Sequence, residues 1–250
     1  MPTIRTETYK IEIDQDLSKL NTYLHKQKPT KLFVIVDENT KQHCLPIFHD
    51  AIDYGYELLE TVSGETNKSL DTCLHLWNQL VYNKADRDSM IINLGGGVIG
   101  DMGGFVAATF MRGIPFIQMP TTLLSQVDAS VGGKLGVDFR GYKNLIGMFQ
   151  NPALVWIHTP FLKTLDEREL LSGFGEVVKH GLIQSKPLWE RIKLKGTDLT
   201  TEQWSRVVTD SVKIKTKIVA EDPKEKGLRK ILNFGHTIGH AVESYFLNSD

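Results

Sequence analysis

The chain has 250 residues, enough for one large or two ordinary domains with a substantial core. Charged residues make up 24% of it and the formal net charge is −1, which leaves no global field to draw in nucleic acid or an anionic membrane. A small-molecule ligand is therefore expected. Cys44 and Cys73 are the only cysteines and form no CxxC pair, so neither a disulfide framework nor a thiolate zinc site is indicated. The opening MPTIRTETYKIEID lacks an apolar signal core, and no stretch approaches the roughly 20 apolar residues of a membrane span. The reading is a soluble, cytoplasmic protein.

Residues 8–13 alternate as a strand does, and 31–36, KLFVIV, form a strong strand closing in Asp37-Glu38-Asn39. Residues 42–54 read as helix and 56–62 as extended chain. Residues 69–83 read as an amphipathic helix with Leu70, Cys73, Leu74, Trp77 and Leu80 on one face. Met90, Ile91, Ile92 and Leu94 then make the short apolar run of a buried parallel strand, which stops at Gly95, Gly96 and Gly97. Helix over 102–111 and a strand over 115–119 follow, leading into Pro120-Thr121-Thr122. Strands alternating with helices predict an α/β nucleotide-binding domain over residues 1–160, a mostly parallel sheet with helices on both faces. From residue 162 the β-branched runs disappear, and 166–180, 187–194, 201–219 and 229–246 all favour helix. Residues 161–250 are expected to form an all-α domain for metal and substrate.

Four stretches carry chemistry. Gly95, Gly97 and Gly100 have the spacing G-x-G-x-x-G, which lets backbone N–H groups approach a diphosphate at the start of a helix. The acidic residue usual about 20 positions further on is missing, since that region reads Gln118, Met119, Pro120, Thr121, and a plain glycine-rich turn would look the same. Residues 126–144, QVDASVGGKLGVDFRGYKN, place Asp128, Lys134, Lys143 and Asn144 in a segment too polar for a core. They read as an exposed loop, or as a ligand-facing one at the carboxyl edge of the sheet. Glu176 and Lys179 are neighbours on a helical face, as a surface ion pair or as part of a site. His236 and His240 stand at i and i+4, a metal-ligand spacing, although Thr237 replaces the glutamate of HExxH. One carboxylate with one or two imidazoles suits a divalent ion, and such an ion beside a nicotinamide means alkoxide stabilisation and hydride transfer.

Five blocks in order, GGGVIGD, FMRGIPFIQMPTTLLSQVDASVGGK, KNLIG, GEVVKHGLI and LRKILNFGHTIGHAVE, resemble the 3-dehydroquinate synthase family of sugar phosphate cyclases, from about residue 36 onward. The resemblance implies that Asp37 and Asn39 hold the adenosine ribose of NAD. Glu65, Lys68, Gly95, Gly96, Gly97, Gly100, Asp101, Thr121, Thr122 and Lys143 are also implied at the cofactor. Asp128, Lys134, Asn144, Lys179, Lys215, Arg229, Asn233 and His240 would contact a sugar acid phosphate. Among these, Asp128, Lys134, Lys179 and His240, with His236, would be catalytic. Arg112 would reach the substrate of a partner subunit, which implies a homodimer. Glu176 and His236 match two of three zinc ligands, with cobalt as an alternative metal. The third ligand belongs to an HGxAV block, and a phosphate-binding lysine follows it. Neither has a counterpart before Asp250, so the resemblance implies a chain shortened at its C-terminal side. His158 and His180 match no ligand position, and His180 stands where tyrosine is common.

The reaction implied converts 3-deoxy-D-arabino-heptulosonate 7-phosphate to 3-dehydroquinate and phosphate, in the shikimate route to aromatic amino acids. NAD oxidises the C5 hydroxyl on zinc, phosphate is eliminated, NADH returns the hydride, and the opened ring closes by an intramolecular aldol step. The alternatives are another sugar phosphate cyclase, a metal-dependent alcohol dehydrogenase that consumes NAD, and a shortened chain that binds NAD without turnover.

Overall fold

Two runs that are apolar throughout or nearly so set the centre of the molecule, because such strands are stable only when covered on both faces. The structure is a computed structural model and describes residues 2–223 and 225–247. In chain order the first half holds β1 (Thr3–Arg5), β2 (Lys10–Ile13), α1 (Leu20–Gln27), β3 (Leu32–Val36), α2 (Glu38–His43) and α3 (Leu45–Ala51). It continues through β4 (Glu57–Glu60), α4 (Leu70–Tyr82), β5 (Met90–Gly95), α5 (Gly97–Thr109) and β6 (Phe116–Pro120). Then come the hairpin β7 (Lys134–Phe139) and β8 (Tyr142–Phe149), β9 (Leu154–Ile157), and helices α6 (Glu167–Gln184), α7 (Lys186–Lys195), α8 (Thr201–Glu221) and α9 (His236–Leu247). Seven strands form one sheet in the order β1-β2-β9-β6-β5-β3-β4, parallel throughout except for β1 against β2. Every residue of β3 and β5 is buried, and Ile91 of β5 stands between Phe33 of β3 and Phe116 of β6.

Several expected elements take a different form. The helix expected over 42–54 is two helices and starts earlier. The Asp37 carboxylate and the Thr40 hydroxyl cap the first reciprocally, while Pro46 in the first turn of α3 has no N–H to continue it. The loop expected over 126–144 is a five-residue π-helical turn, Ser125–Ala129, followed by the β7–β8 hairpin. Leu135 and Val137 of the hairpin bury against Met102, Phe105 and Val106 of α5. Gly147 hides the pattern, since a side chain there would strike the Leu135 carbonyl. The helix expected over 229–246 is broken: a 3₁₀ segment, Leu228–Asn233, ends at Phe234, and Gly235 turns the chain at φ 85° before α9 begins at His236. Strands β1 and β9 and helix α1 had no counterpart in the expectation.

The helical half packs on one face of the sheet. Ile11, Ile13, Val155 and Ile157 of β2 and β9 share a core with Leu123 and Val127, and with Val177, Leu188, Val207, Val208 and Val212 from α6, α7 and α8. Helix α6 comes so close that a Cβ on Gly173 would collide with the Leu124 backbone nitrogen and the Leu123 side chain, whereas nothing lies within 4 Å of Gly175. Alanine should therefore act with opposite sign at two positions of one helix. Gly175→Ala is expected to gain up to about 1 kcal/mol from helix propensity. Gly173→Ala is expected to lose about 1 kcal/mol or more net, because overpacking typically costs about 1–3 kcal/mol. Chemical denaturation of the two variants checks both signs.

Candidate active site

The crevice for a dinucleotide follows from the strand order. From β3 the chain runs outward to β4 and then returns to β5 on the other side of β3, so the carboxyl ends of β3 and β5 flank a topological switch point. Asp37 and Asn39 follow β3 there, Gly95 to Gly97 end β5, and Thr121 and Thr122 follow β6. None of Gly95, Gly96, Gly97 or Gly100 has a positive φ, so the turn uses them for space rather than for left-handed backbone. A Cβ on Gly96 would sit 3.1 Å from Thr122 Cγ2, and one on Gly100 3.3 Å from Gln118 Oε1. No side chain caps α5, which leaves its first-turn N–H groups for an anion beyond Gly96. This cradle, open only because side chains are absent, fits a diphosphate.

Around it, Asp37 Oδ1 accepts hydrogen bonds from the Thr40 N–H (2.7 Å) and hydroxyl (2.9 Å). Exposed Glu65 lies on a short 3₁₀ turn, Glu65–Asn67. The loop before that turn is tied to α2 by Glu38, which accepts from the Ser63 N–H at 2.9 Å and hydroxyl at 2.6 Å. Buried Lys68 donates to Asp101 Oδ2 (2.6 Å) and Asn144 Oδ1 (2.7 Å), joining the cofactor side to the hairpin. Burial pushes the Asp101 carboxyl above its ordinary range, against the pull of the Lys68 ammonium. Lys143 is exposed beside Asn144 on β8.

Next to the crevice is a cavity of about 540 Å³ lined by the hairpin, the π-helical turn, α6, α8 and the segment before α9. Lys134, Lys179, Lys215 and Arg229 all reach it, with Asp101, Asp128, Asn144, Glu225, Asn233 and His236. Each lysine stands on a carboxylate. Lys215 Nζ donates to Asp128 Oδ1 at 2.7 Å and to the Asp128 carbonyl at 2.5 Å, Lys179 pairs with Glu176, and Lys134 pairs with Glu225. Asn233 Nδ2 donates to the same Glu225 at 2.9 Å. Burial opposes ionisation of Asp128, but the Lys215 and Lys179 charges outweigh it and hold the carboxyl down at about 2. Burial likewise pushes Lys215 down, against the pull of Asp128. Arg229, 3% exposed, donates Nη1 to the Pro223 carbonyl at 2.8 Å, and its guanidinium lies over Gly132. Gly132 has φ 105°, and a Cβ there would come 2.5 Å from Arg229 Nη2, so the position admits only glycine on both counts.

The structure thus gathers Asp128, Lys134, Asn144, Lys179, Lys215, Arg229, Asn233 and His236 at one cavity and sets Glu176 behind it, with His236 Nε2 at 3.3 Å from Glu176 Oε1. Arg112 does not line it. That residue is exposed at φ 72°, at the end of the 3₁₀ turn after α5. The side chain of His240 lies outside the described residues. Glu225 and Asp222 escaped the sequence reading. Glu225 holds both Lys134 and Asn233, and Asp222 accepts from the backbone N–H groups of Lys226, Gly227 and Arg229, shaping the loop that delivers the guanidinium. Asp222 standing before Pro223 is a turn-initiation signal that could have flagged it.

Among the described residues, Asp128, Glu176 and His180 each offer a ligand atom, all within 4.8 Å of one another. Burial pushes the His180 imidazole down to about 4 despite Asp128, so it is neutral at pH 7 and able to bind a metal. His158 is structural instead: it is buried, Nδ1 lies 3.1 Å from the Asp14 carbonyl, and the ring meets Phe161 edge-on. The donor set of Glu176, His236, Asp128 and His180 fits a divalent ion of intermediate hardness.

Comparison with known proteins identifies the family. The 3-dehydroquinate synthase N-terminal family matches residues 58–172 and the 3-dehydroquinate synthase C-terminal family matches 173–249. The chain belongs to the 3-dehydroquinate synthase family. The 3-dehydroquinate synthase of Parabacteroides distasonis is 46% identical over 94% of this chain and 67% of its own length. That of Acetivibrio thermocellus is 46% identical over 96% and 69%. In structure, a 2-deoxy-scyllo-inosose synthase complexed with carbaglucose-6-phosphate, NAD+ and Co2+ superposes with TM-score 0.87 at 26% identity, covering 98% of this chain and 71% of that one. A 2-epi-5-epi-valiolone synthase from Streptomyces hygroscopicus with NAD+ and Zn2+ bound gives 0.85 at 25%, covering 100% and 72%.

The Asp128–Lys215 pair makes a prediction for stability. Asp128→Asn strands the Lys215 charge and is expected to cost about 3 kcal/mol at pH 7. The folded carboxyl titrates near 2, below the roughly 3.9 of an unfolded aspartate. The parent's advantage is therefore complete above the unfolded value and fades as pH falls through about 2. Denaturant midpoints of parent and variant between pH 7 and pH 2 measure it.

Proposed function

We propose that this chain converts 3-deoxy-D-arabino-heptulosonate 7-phosphate to 3-dehydroquinate and phosphate. In this reading it works as a cytoplasmic homodimer, with residues 1–160 holding NAD and residues 161–250 holding the metal and much of the substrate. The observation that carries the reading is the convergence of Lys134, Lys179, Lys215 and Arg229 on one cavity beside the glycine cradle. A substrate bearing a phosphate dianion and a carboxylate needs several cations at fixed positions, and a simple alcohol does not. The related cyclases with NAD+ and Co2+ or Zn2+ support the cofactor pair.

Asp37, Asn39, Glu65, Lys68, Asp101, Lys143, the glycines of the β5–α5 turn, Thr121 and Thr122 hold the dinucleotide, and Glu176 and His236 hold the metal. When bound, NAD supplies a reversible hydride acceptor and the divalent ion polarises the hydroxyl under oxidation. Lys134, Arg229, Asn233 and Asn144 grip and orient the anionic substrate. Lys179 and Lys215 stabilise negative charge developing on its oxygens. Asp128 opposes the burial that would otherwise discharge Lys215. His240 completes the catalytic set, and Arg112 serves the substrate of the partner subunit.

The test is phosphate release from that substrate with NAD and Zn2+, with NADH absorbance followed alongside. Catalytic release with no net NADH is expected. NADH accumulating with product would make the protein a dehydrogenase, and NAD binding without phosphate release would overturn turnover by this chain. Arg229→Ala removes a charge-assisted hydrogen bond worth about 1.5–3 kcal/mol, so kcat/KM is expected to fall roughly 10- to 100-fold. Equilibrium sedimentation checks the homodimer.

A further inference from the structure

His180 has no account in the packing. Its ring is 0% exposed and neither Nδ1 nor Nε2 has a hydrogen-bond partner. An unpaired buried polar group costs about 1–3 kcal/mol, and the large majority of buried side-chain polar atoms avoid it. A phenyl ring would fill much the same space without that cost.

Its surroundings supply a reason. Glu176 and His180 are four residues apart on α6 and so share a face, and the Ser125–Ala129 turn brings Asp128 against that face. One donor atom from each residue lies within 4.8 Å of the others, and the His236 ring is 3.3 Å from Glu176 Oε1. The two carboxylates already draw positive charge to this place, where Lys179 and Lys215 stand on them.

We propose that His180 is an inner ligand of a divalent ion held here, bound by Glu176, His236 and His180, with Asp128 facing it. The proposal rests on the reading that this chain binds an ion at Glu176 and His236. It adds a third protein donor on the same helix as the first. Three protein ligands with one position left for an oxygen of the substrate is the usual composition of a catalytic zinc site. Entry of the ion frees Lys179 from Glu176 to face the cavity, where an anion can take it up.

The experiment is titration of the 250-residue protein with Co2+, following visible absorption and the paramagnetically shifted imidazole N–H signals, with Zn2+ affinity from chelator competition. One ion per chain is expected. His180→Phe is expected to melt no lower than the parent without metal, to weaken Co2+ and Zn2+ at least about 100-fold, and to lose one shifted N–H signal. Equal affinity and an unchanged spectrum in His180→Phe would overturn the role of His180 while leaving the metal site intact. Absence of binding to the parent would overturn the metal site itself. Should His180→Phe not fold, the double variant His236→Ala, His240→Ala decides. At Co2+ concentrations that saturate this variant, a shifted imidazole signal retained supports His180, and a bound ion with no shifted imidazole signal overturns it.

Discussion

The contact between Lys215 and Asp128 is the constraint on which the arrangement turns. Lys215 comes from the middle of the longest helix of the second half, and Asp128 from the irregular turn that leaves the sheet. Two charges with so little exposure gain from each other only if their geometry is held, and the apolar core shared by β2, β9 and the helices holds it. The same pair sets the electrostatics of the cavity. It fixes a carboxylate as an anion and opposes the burial that would discharge the ammonium.

Cations elsewhere in the cavity follow a similar rule. Lys134 and Lys179 each rest on a carboxylate, as Lys68 does outside the cavity, and Arg229 rests on a backbone carbonyl. An anion entering this cavity would meet donors whose positions are already defined, at the cost of competing with Glu225 or Glu176 for them. Preorganised donors of this kind contribute most in a water-poor site, where little reorganisation accompanies the reaction.

Much of this was legible in the residues. The apolar runs of β3 and β5 announced buried parallel strands, and Gly95 to Gly100 announced the turn from β5 into α5. The family blocks implied a shared role for Lys134, Lys179 and Arg229, and the fold brings these three and Lys215 to one cavity. What stayed hidden had physical causes. The β7–β8 hairpin carries glycines where its strands approach closely, so no alternation was visible, and its polar residues looked like loop. The glycines of the turn take no left-handed backbone, and Gly96 and Gly100 leave room for Thr122 and Gln118. Glu225 acts across a loop whose shape depends on tertiary contacts, and no spacing rule reports that. His180 looked like an unexceptional position in a helix until the fold set Asp128 opposite it.

The bridge made by Lys68 carries a thermodynamic consequence. One buried ammonium holds Asp101, on the helix that begins at the glycine cradle, and Asn144, on the hairpin that walls the substrate cavity. Occupancy of either compartment that shifts this ammonium changes the free energy of filling the other. Linkage makes the effect reciprocal, so that whatever factor the dinucleotide imposes on sugar acid affinity, the sugar acid imposes on the dinucleotide. Two compartments that read as separate lists of residues are thus joined through a single nitrogen.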